Sequence, residues 1–421
     1  MSAKRDIFGA GASMVGWTWW GLLGSKARQD LPRAAGLWSD SWLGDTSENT
    51  KESPVTAPSA IAPEITMHLP PVYLPMPLLS HPQLDLLEQR GIAWMAQHGF
   101  CDDPALRKRI IDSMGAHFYG YVCPAADTDR LQMAVDWAYL MFLFDDVHGD
   151  SAQTDADGDN YAFLDLAVRI VRTLETPTAR ILDSRHPFTA PIVDLATRLH
   201  RCTSPVQLRR LADAHALWLL GVAWEIPASR HPATSLDDYL CTRHMYAAAA
   251  PTITWLQITD PEPIDDTEIT HPRVRALTEM AGTVAAIDDD LYGYGKDQWL
   301  ARRHSGPAMA PANLIDVYTT QDQLSPDTAL HACVALRDRI VHRFLQVRDQ
   351  VTPEASPALT RYLHNLTCLM RGNYEYGLAA ARYTNPDGLH PGAVHITGST
   401  TDTPAAVGPP GIPGIDWWWA P

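Results

Sequence analysis

From Asp127 to Phe144 the sequence reads DTDRLQMAVDWAYLMFLF, and beyond its first turn nearly every residue is apolar. A helix that is apolar on all sides has no face to offer water, so other helices must surround it. This segment therefore demands a domain built around a central helix, capped at its start by Asp127 or Thr128.

The neighbours carry matching signals. LDLLEQRGIAWMAQHGF places Leu84, Leu87, Gly91 and Trp94 three and four residues apart, the spacing of one helix face. A helix from Pro205 begins with Ser204 as N-cap, and another begins with the capping box Ser235-x-x-Asp238. Two further long helical patterns lie within residues 330–351 and 358–383. Convincing strands and internal repeats are absent. The expectation is an all-α domain of roughly ten helices over residues 67–386. Residues 1–66 read as a disordered N-terminal extension. Residues 387–421 read as a Pro/Gly-rich, loose C-terminal tail that ends in a tryptophan triplet.

At 421 residues and 46% hydrophobic, the chain can bury a large core. Its net charge of −16 argues against nucleic acid. Six scattered cysteines form no CxxC pair and read as reduced thiols of a cytoplasmic protein. The uncharged run Ile7–Ser25 is glycine-rich and reads as a non-core extension rather than an anchor, so no membrane contact is expected.

The acids are the unusual feature. Asp289, Gly293 and Asp297 stand four residues apart and share one slowly drifting helix stripe, while Asp290 points about 100° away towards neighbouring helices. Burying unpaired carboxylates is costly, so a metal or a basic partner must compensate them. A second cluster, Asp145, Asp146 and Asp150, closes the central helix, and such oxygens suit Mg²⁺. The following DADGDNYAFLDL imitates a calcium loop, but Asn160 and Leu166 stand where Gly and Glu are needed, so it is read as a polar loop.

These motifs resemble those of the bacterial class I terpene synthases. In that family a first acidic motif matches Asp145-Asp146-x-x-x-Asp150, and a second matches Asp289 to Asp297. An arginine 46 residues before the second motif matches Arg243, a lysine before its last acid matches Lys296, and a closing Arg-Tyr pair after an aromatic matches Arg382, Tyr383 and Tyr376. The resemblance implies a single α-helical bundle around a central active-site cavity. It implies three Mg²⁺ ions held by Asp145, Asp146, Asp150, Asp289 and Asp297. Arg243, Lys296, Arg382 and Tyr383 would donate to a diphosphate, with Arg243, Arg382 and Tyr383 serving catalysis.

The implied reaction ionises an isoprenyl diphosphate, farnesyl diphosphate being favoured over C10, C11 or C20 relatives, and cyclises the carbocation. Met141 and Phe142 are expected in the cavity wall, with Trp137, Phe144, Trp255 and Tyr374 as looser candidates. Gly293, Asp297 and Asp289 depart from the commoner Ser/Thr, Glu and Asn. Tyr246 stands where relatives often carry Asp. Pro251 marks an expected helix break. A homodimer is compatible with this reading. A prenyl diphosphate synthase would need a second DDxxD-like motif, and a non-catalytic binding protein would leave the acids on solvated faces.

Overall fold

The computed structural model describes residues 64–421 except 149–160, 229–234 and 304–312. The expectations for the N-terminal run, for Asp150 and for the calcium-like loop at Asp155–Asn160 fall outside the described residues.

The helices run in order α1 (Leu84–Gln97), α2 (Pro104–Asp112), α3 (Gly115–Val122) and α4 (Thr128–His148). Next come α5 (Tyr161–Glu175), α6 (Thr189–Cys202), α7 (Pro205–Ala228), α8 (Leu236–Tyr246) and α9 (Ala249–Ile258). They are followed by α10 (Asp266–Ile269), α11 (Pro272–Arg303), α12 (Leu314–Gln321), α13 (Pro326–Val351), α14 (Pro357–Ala379), α15 (Ala381–Thr384) and α16 (Pro413–Asp416). Four short strands, β1 (Ile65–His68), β2 (Val72–Tyr73), β3 (Val394–Thr397) and β4 (Thr400–Thr401), and three single-turn 3₁₀ helices (Pro177–Ala179, Thr352–Glu354 and Trp417–Trp419) complete the described chain. The all-α expectation holds for the body. The α-helices number sixteen among the described residues rather than about ten, because short connecting helices leave no periodic signal.

Helix α4 is the central helix. Leu131, Ala134, Val135, Ala138, Tyr139, Leu140, Leu143 and Phe144 are all buried in it, and it packs on α1, α3 and α6. Asp127 is its cap, since its carboxylate accepts from the amides of Asp129 and Arg130 at 3.1 and 3.0 Å. Ser204 and Ser235 cap α7 and α8 as expected, each hydroxyl accepting the amide three residues on. Helix α11 lies between α13 and α14. Gly377 on α14 sits flat on the Tyr292 ring of α11, where any Cβ would collide.

The expected loose tail is corrected by the structure. β3 pairs in parallel with β1 in the register Ile65↔Val394 to His68↔Thr397, and β4 pairs in parallel with β2. These strands carry too few residues for alternation to show, and their partners lie more than 300 residues away in sequence. The β1–β3 ribbon lies on α11 at Gly295, where a Cβ would stand 2.6 Å from Val394 Cγ1. The terminal segments are also pinned by Asp338 on α13, which accepts from the amides of Tyr73 and Ala405, each at 2.9 Å. Beside it, Arg337 and Asp288 form an ion pair with both side chains fully buried, and Arg337 donates to the Tyr73 carbonyl at 3.1 Å. The tryptophan triplet closes the molecule. Trp418 is buried and donates to Glu279 at 3.2 Å, and Arg343 donates to the carbonyls of Trp418 and Trp419.

Among the described residues, no helix is long and apolar enough to cross a membrane.

Candidate active site

One cavity gathers the acidic motifs. Its lining includes Asp145 from the last turn of α4, Asp289, Lys296 and Asp297 from α11, Arg243 from α8, and Arg382 and Tyr383 from α15. The geometry follows from helix periodicity. Asp289, Gly293 and Asp297 recur every fourth residue, so all three face the same hollow. Asp290, one residue on, turns into the protein instead. It accepts from Tyr239 Oη, from Arg243 Nε at 3.0 Å and from the Leu314 amide at 3.3 Å. Burial pushes its carboxyl up to about 6, against the pull of Arg243 and Tyr239. Asp288, on the other flank, is raised to about 6 by burial against Arg337. The motif's middle acid faces the cavity, and its two neighbours are structural ion-pair partners.

Basic groups bridge the acids. Arg243 Nη2 donates to Asp289 at 2.6 Å, and Tyr383 Oη donates to the other oxygen of that carboxylate at 3.1 Å. On the opposite wall Asp146 accepts from Arg109 at 2.8 Å and from Arg382 at 3.3 Å. Burial opposes ionisation of Asp146, but Arg382, Arg109 and Lys296 outweigh it and hold the carboxyl below its ordinary value. The Arg382 guanidinium lies 4.6 Å from the Phe142 ring centroid, and Phe142 stacks on Tyr376 with an interplanar angle of 8°. Its Nη1 is buried without a hydrogen-bond partner. An orphaned guanidinium N–H is costly and suits an anionic oxygen of a ligand.

Below the acids the wall turns apolar. Phe118, Trp137, Met141, Phe142, Trp218 and Tyr376 supply the aromatic and sulfur surface. Small residues (Ala247, Ala248, Ala249, Gly282, Ala285 and Ala286) line the other side. Ala248 holds φ +56° in the two-residue break between α8 and α9, a left-handed conformation that costs a non-glycine residue energy. Pro251 lies in the first turn of α9, where its missing N–H costs nothing, so the break falls three residues earlier than the proline.

The donor set fits hard cations. Among the described residues, every carboxylate on the lining except Glu225 belongs to one of the two motifs, Asp145 on one wall and Asp289, Asp290 and Asp297 on the other. With Asp290 held by Tyr239 and Arg243, each wall leaves one or two for a cation, as Mg²⁺ with retained waters and phosphate oxygens prefers. Among the described residues no three His, Cys, Asp or Glu side chains already converge as a preformed metal cage. A Cβ on Gly293 would meet nothing within 4 Å, leaving room for a water beside Asp289 and Asp297.

Comparisons with known proteins agree with this arrangement. Residues 136–343 match the family described as terpene synthase family 2, C-terminal metal binding. Phomopsene synthase from Allokutzneria albata is 57% identical over 353 residues, covering 84% of this chain and 97% of that protein. The chain belongs to the bacterial class I terpene synthases. A diterpene cyclase, DtcycA, from a Streptomyces species is 32% identical over 365 residues, covering 86% of this chain and 98% of the relative. The crystal structure of an ancestral protein, SVS_A2, superposes with TM-score 0.71 at 34% identity, covering 84% of this chain and 98% of that one. Terpene synthases are lyases acting on diphosphates, so this chain is an enzyme.

The cavity gathers most of the residues that the sequence singled out. Asp145, Asp289, Asp297, Lys296, Arg243, Arg382, Tyr383, Met141 and Phe142 share one cavity, while Asp146 is taken up by the two arginines. Of the looser candidates only Trp137 lines it. Phe144 packs against Phe163, Phe188 and Trp218 in the core. Trp255 faces a small apolar void behind Trp137, and Tyr374 lies under Arg337. Sequence reading missed Arg109, which nothing in ALRKRIID singles out. It also missed Glu225, although a lone acid in the apolar run LLGVAWEI was a readable signal.

Proposed function

We propose that this terpene synthase ionises geranylgeranyl diphosphate and cyclises the resulting C20 carbocation, releasing pyrophosphate. The observation that carries the reading is the single cavity whose rim holds both acidic motifs with Arg243, Lys296, Arg382 and Tyr383, and whose depth is aromatic and apolar.

Asp145 on one wall and Asp289 with Asp297 on the other would hold Mg²⁺, which when bound neutralises charge developing on the leaving pyrophosphate. Arg382, with its orphaned Nη1, and Lys296 donate to phosphate oxygens. Arg243 and Tyr383, which hold Asp289 from its two oxygens, would donate to the diphosphate where Asp289 holds the cation. Asp146 keeps Arg109 as a counter-charge when Arg382 shifts, so no buried acid is left bare. Aromatic faces attract the carbocation without supplying a nucleophile, and exclusion of water prevents early capture.

Two observations favour a C20 chain over farnesyl diphosphate. The wall of six alanines and glycines leaves depth that larger side chains would fill, and a relative 32% identical over nearly its whole length is named a diterpene cyclase. Incubation with Mg²⁺ and equimolar geranylgeranyl and farnesyl diphosphates, analysed by gas chromatography–mass spectrometry, tests this. A dominant C20 hydrocarbon is expected. A dominant C15 product would overturn the substrate assignment and leave the cyclase reading standing.

A further inference from the structure

His215 is buried on α7, and its two ring nitrogens are both engaged. Nδ1 lies 2.8 Å from the Leu211 carbonyl, so it carries the proton. Nε2 then presents its lone pair, and the donor-only indole N–H of Trp137 reaches it at 2.8 Å. The two rings stand edge to face at 86°. Trp137 sits eight residues before Asp145 on α4, two turns or about 12 Å deeper, where the far end of a long prenyl chain would lie.

The contrast with its neighbours is informative. Trp218 and Trp255 pack around Trp137 at 6.4 and 6.0 Å between centroids, and the indole N–H of each is buried without a partner. This part of the core therefore tolerates unpartnered indoles, whereas the Trp137 indole is tied. Behind it lies a small apolar void, lined by Trp137, His215, Leu211 and Trp255, into which an untied ring could turn.

We propose that His215 is a positioning residue for the cyclisation: by accepting the Trp137 indole N–H it fixes the deep aromatic wall and so selects which folded carbocation closes. A hydrogen bond to a good acceptor also polarises the indole and strengthens its face as a cation partner. Burial holds the imidazole near 4, so it stays neutral and places no positive charge behind the wall. Its lone pair is spent on Trp137 and does not trap the cation.

This inference rests on the cyclase reading. The test compares pyrophosphate release and product ratio in wild type, His215→Leu, His215→Gln, Trp137→Phe and the double variant His215→Leu/Trp137→Phe. In His215→Leu the ratio of the two leading products is expected to shift about three- to tenfold, the loss of one hydrogen bond, with pyrophosphate release little changed. His215→Gln, whose amide can donate to Leu211 and accept from Trp137, keeps the wild-type ratio. In the Trp137→Phe background, which has no N–H to accept, His215→Leu adds no further shift. Should His215→Leu fail to fold, His215→Asn, too short to reach the indole, replaces it with the same expected shift. An unchanged product ratio in an active His215→Leu enzyme, or an equal shift in the Trp137→Phe background, overturns the inference alone. A wild-type chain that releases no pyrophosphate overturns the cyclase reading and this inference with it.

Discussion

Arg243 and Asp289, 46 residues apart in sequence, meet at 2.6 Å, and the same guanidinium reaches Asp290 at 2.9 Å. One arginine thus serves a carboxylate that faces the cavity and another that faces the core. Arg243→Ala should do two separable things. Leaving Asp290 buried without its cation is expected to cost about 3–5 kcal/mol in unfolding free energy, and turnover should be lost. Adding Asp290→Asn should recover much of the stability and none of the activity, since the two partners form one network. Denaturant midpoints and product assays on the single and double variants check both halves.

Gly293 offers a test of metal binding that leaves the core alone. Open space surrounds its missing Cβ, so Gly293→Ser should fold normally and add a hydroxyl oxygen between Asp289 and Asp297. The Mg²⁺ concentration for half-maximal rate is expected to fall about tenfold, the effect of one added ligand of roughly 1.4 kcal/mol. Asp297→Ala should instead abolish turnover while changing stability by only about 1 kcal/mol. A Mg²⁺ titration of rate for each variant measures these shifts.

The buried imidazole predicts a pH dependence of stability. His215 titrates near 6.5 when unfolded and near 4 in the fold, because burial disfavours its cation. A group depressed in this way contributes stability that is present above its unfolded value and lost as pH falls towards its folded one. Between pH 8 and pH 5 the loss amounts to about 2 kcal/mol. Asp136, raised to about 6 by burial against Arg198, acts in the opposite sense over the same range. The difference between wild type and His215→Gln therefore isolates the histidine. The wild-type unfolding free energy, taken relative to that of His215→Gln, should fall by that amount from pH 8 to pH 5.

The terminal tryptophans separate packing from surface contact. Trp418 is buried and hydrogen-bonded to Glu279, so Trp418→Ala should cost about 3–5 kcal/mol. Trp417 is only half-buried and lies 5.4 Å from the Arg275 guanidinium, so Trp417→Ala should cost about 1 kcal/mol. Thermal or denaturant unfolding of the two variants measures the contrast.

The parts of this molecule that were legible in the sequence are those with a period. An apolar run with no polar face had to become the central helix α4, and acids four residues apart had to face one hollow. Ser204 before Pro205 and the box Ser235-x-x-Asp238 marked helix starts correctly. The parts that were not legible depend on distance in sequence or on direction in space. Two- and four-residue strands that pair across the whole chain leave no local trace, so the tail read as loose. The turn of Asp290 away from its neighbour followed from the helix period, but only packing assigns Asp288 to Arg337 and Asp290 to Arg243. Phe144, Trp255 and Tyr374 matched the composition of a cavity wall but point into the core. Arg109 meets Asp146 because α2 happens to pass the end of α4, and no motif records that.

The central claim is that acids on two separate helices act together on one diphosphate. It is tested most directly by pyrophosphate release from geranylgeranyl diphosphate on addition of Mg²⁺, measured for wild type, Asp145→Ala and Asp289→Ala. Rapid release by the wild type, stopped by a chelator and lost in each variant alone, is the expected result. Full-rate release by either folded variant, or none by the wild type with prenyl diphosphates of any length from C10 to C20, would contradict it.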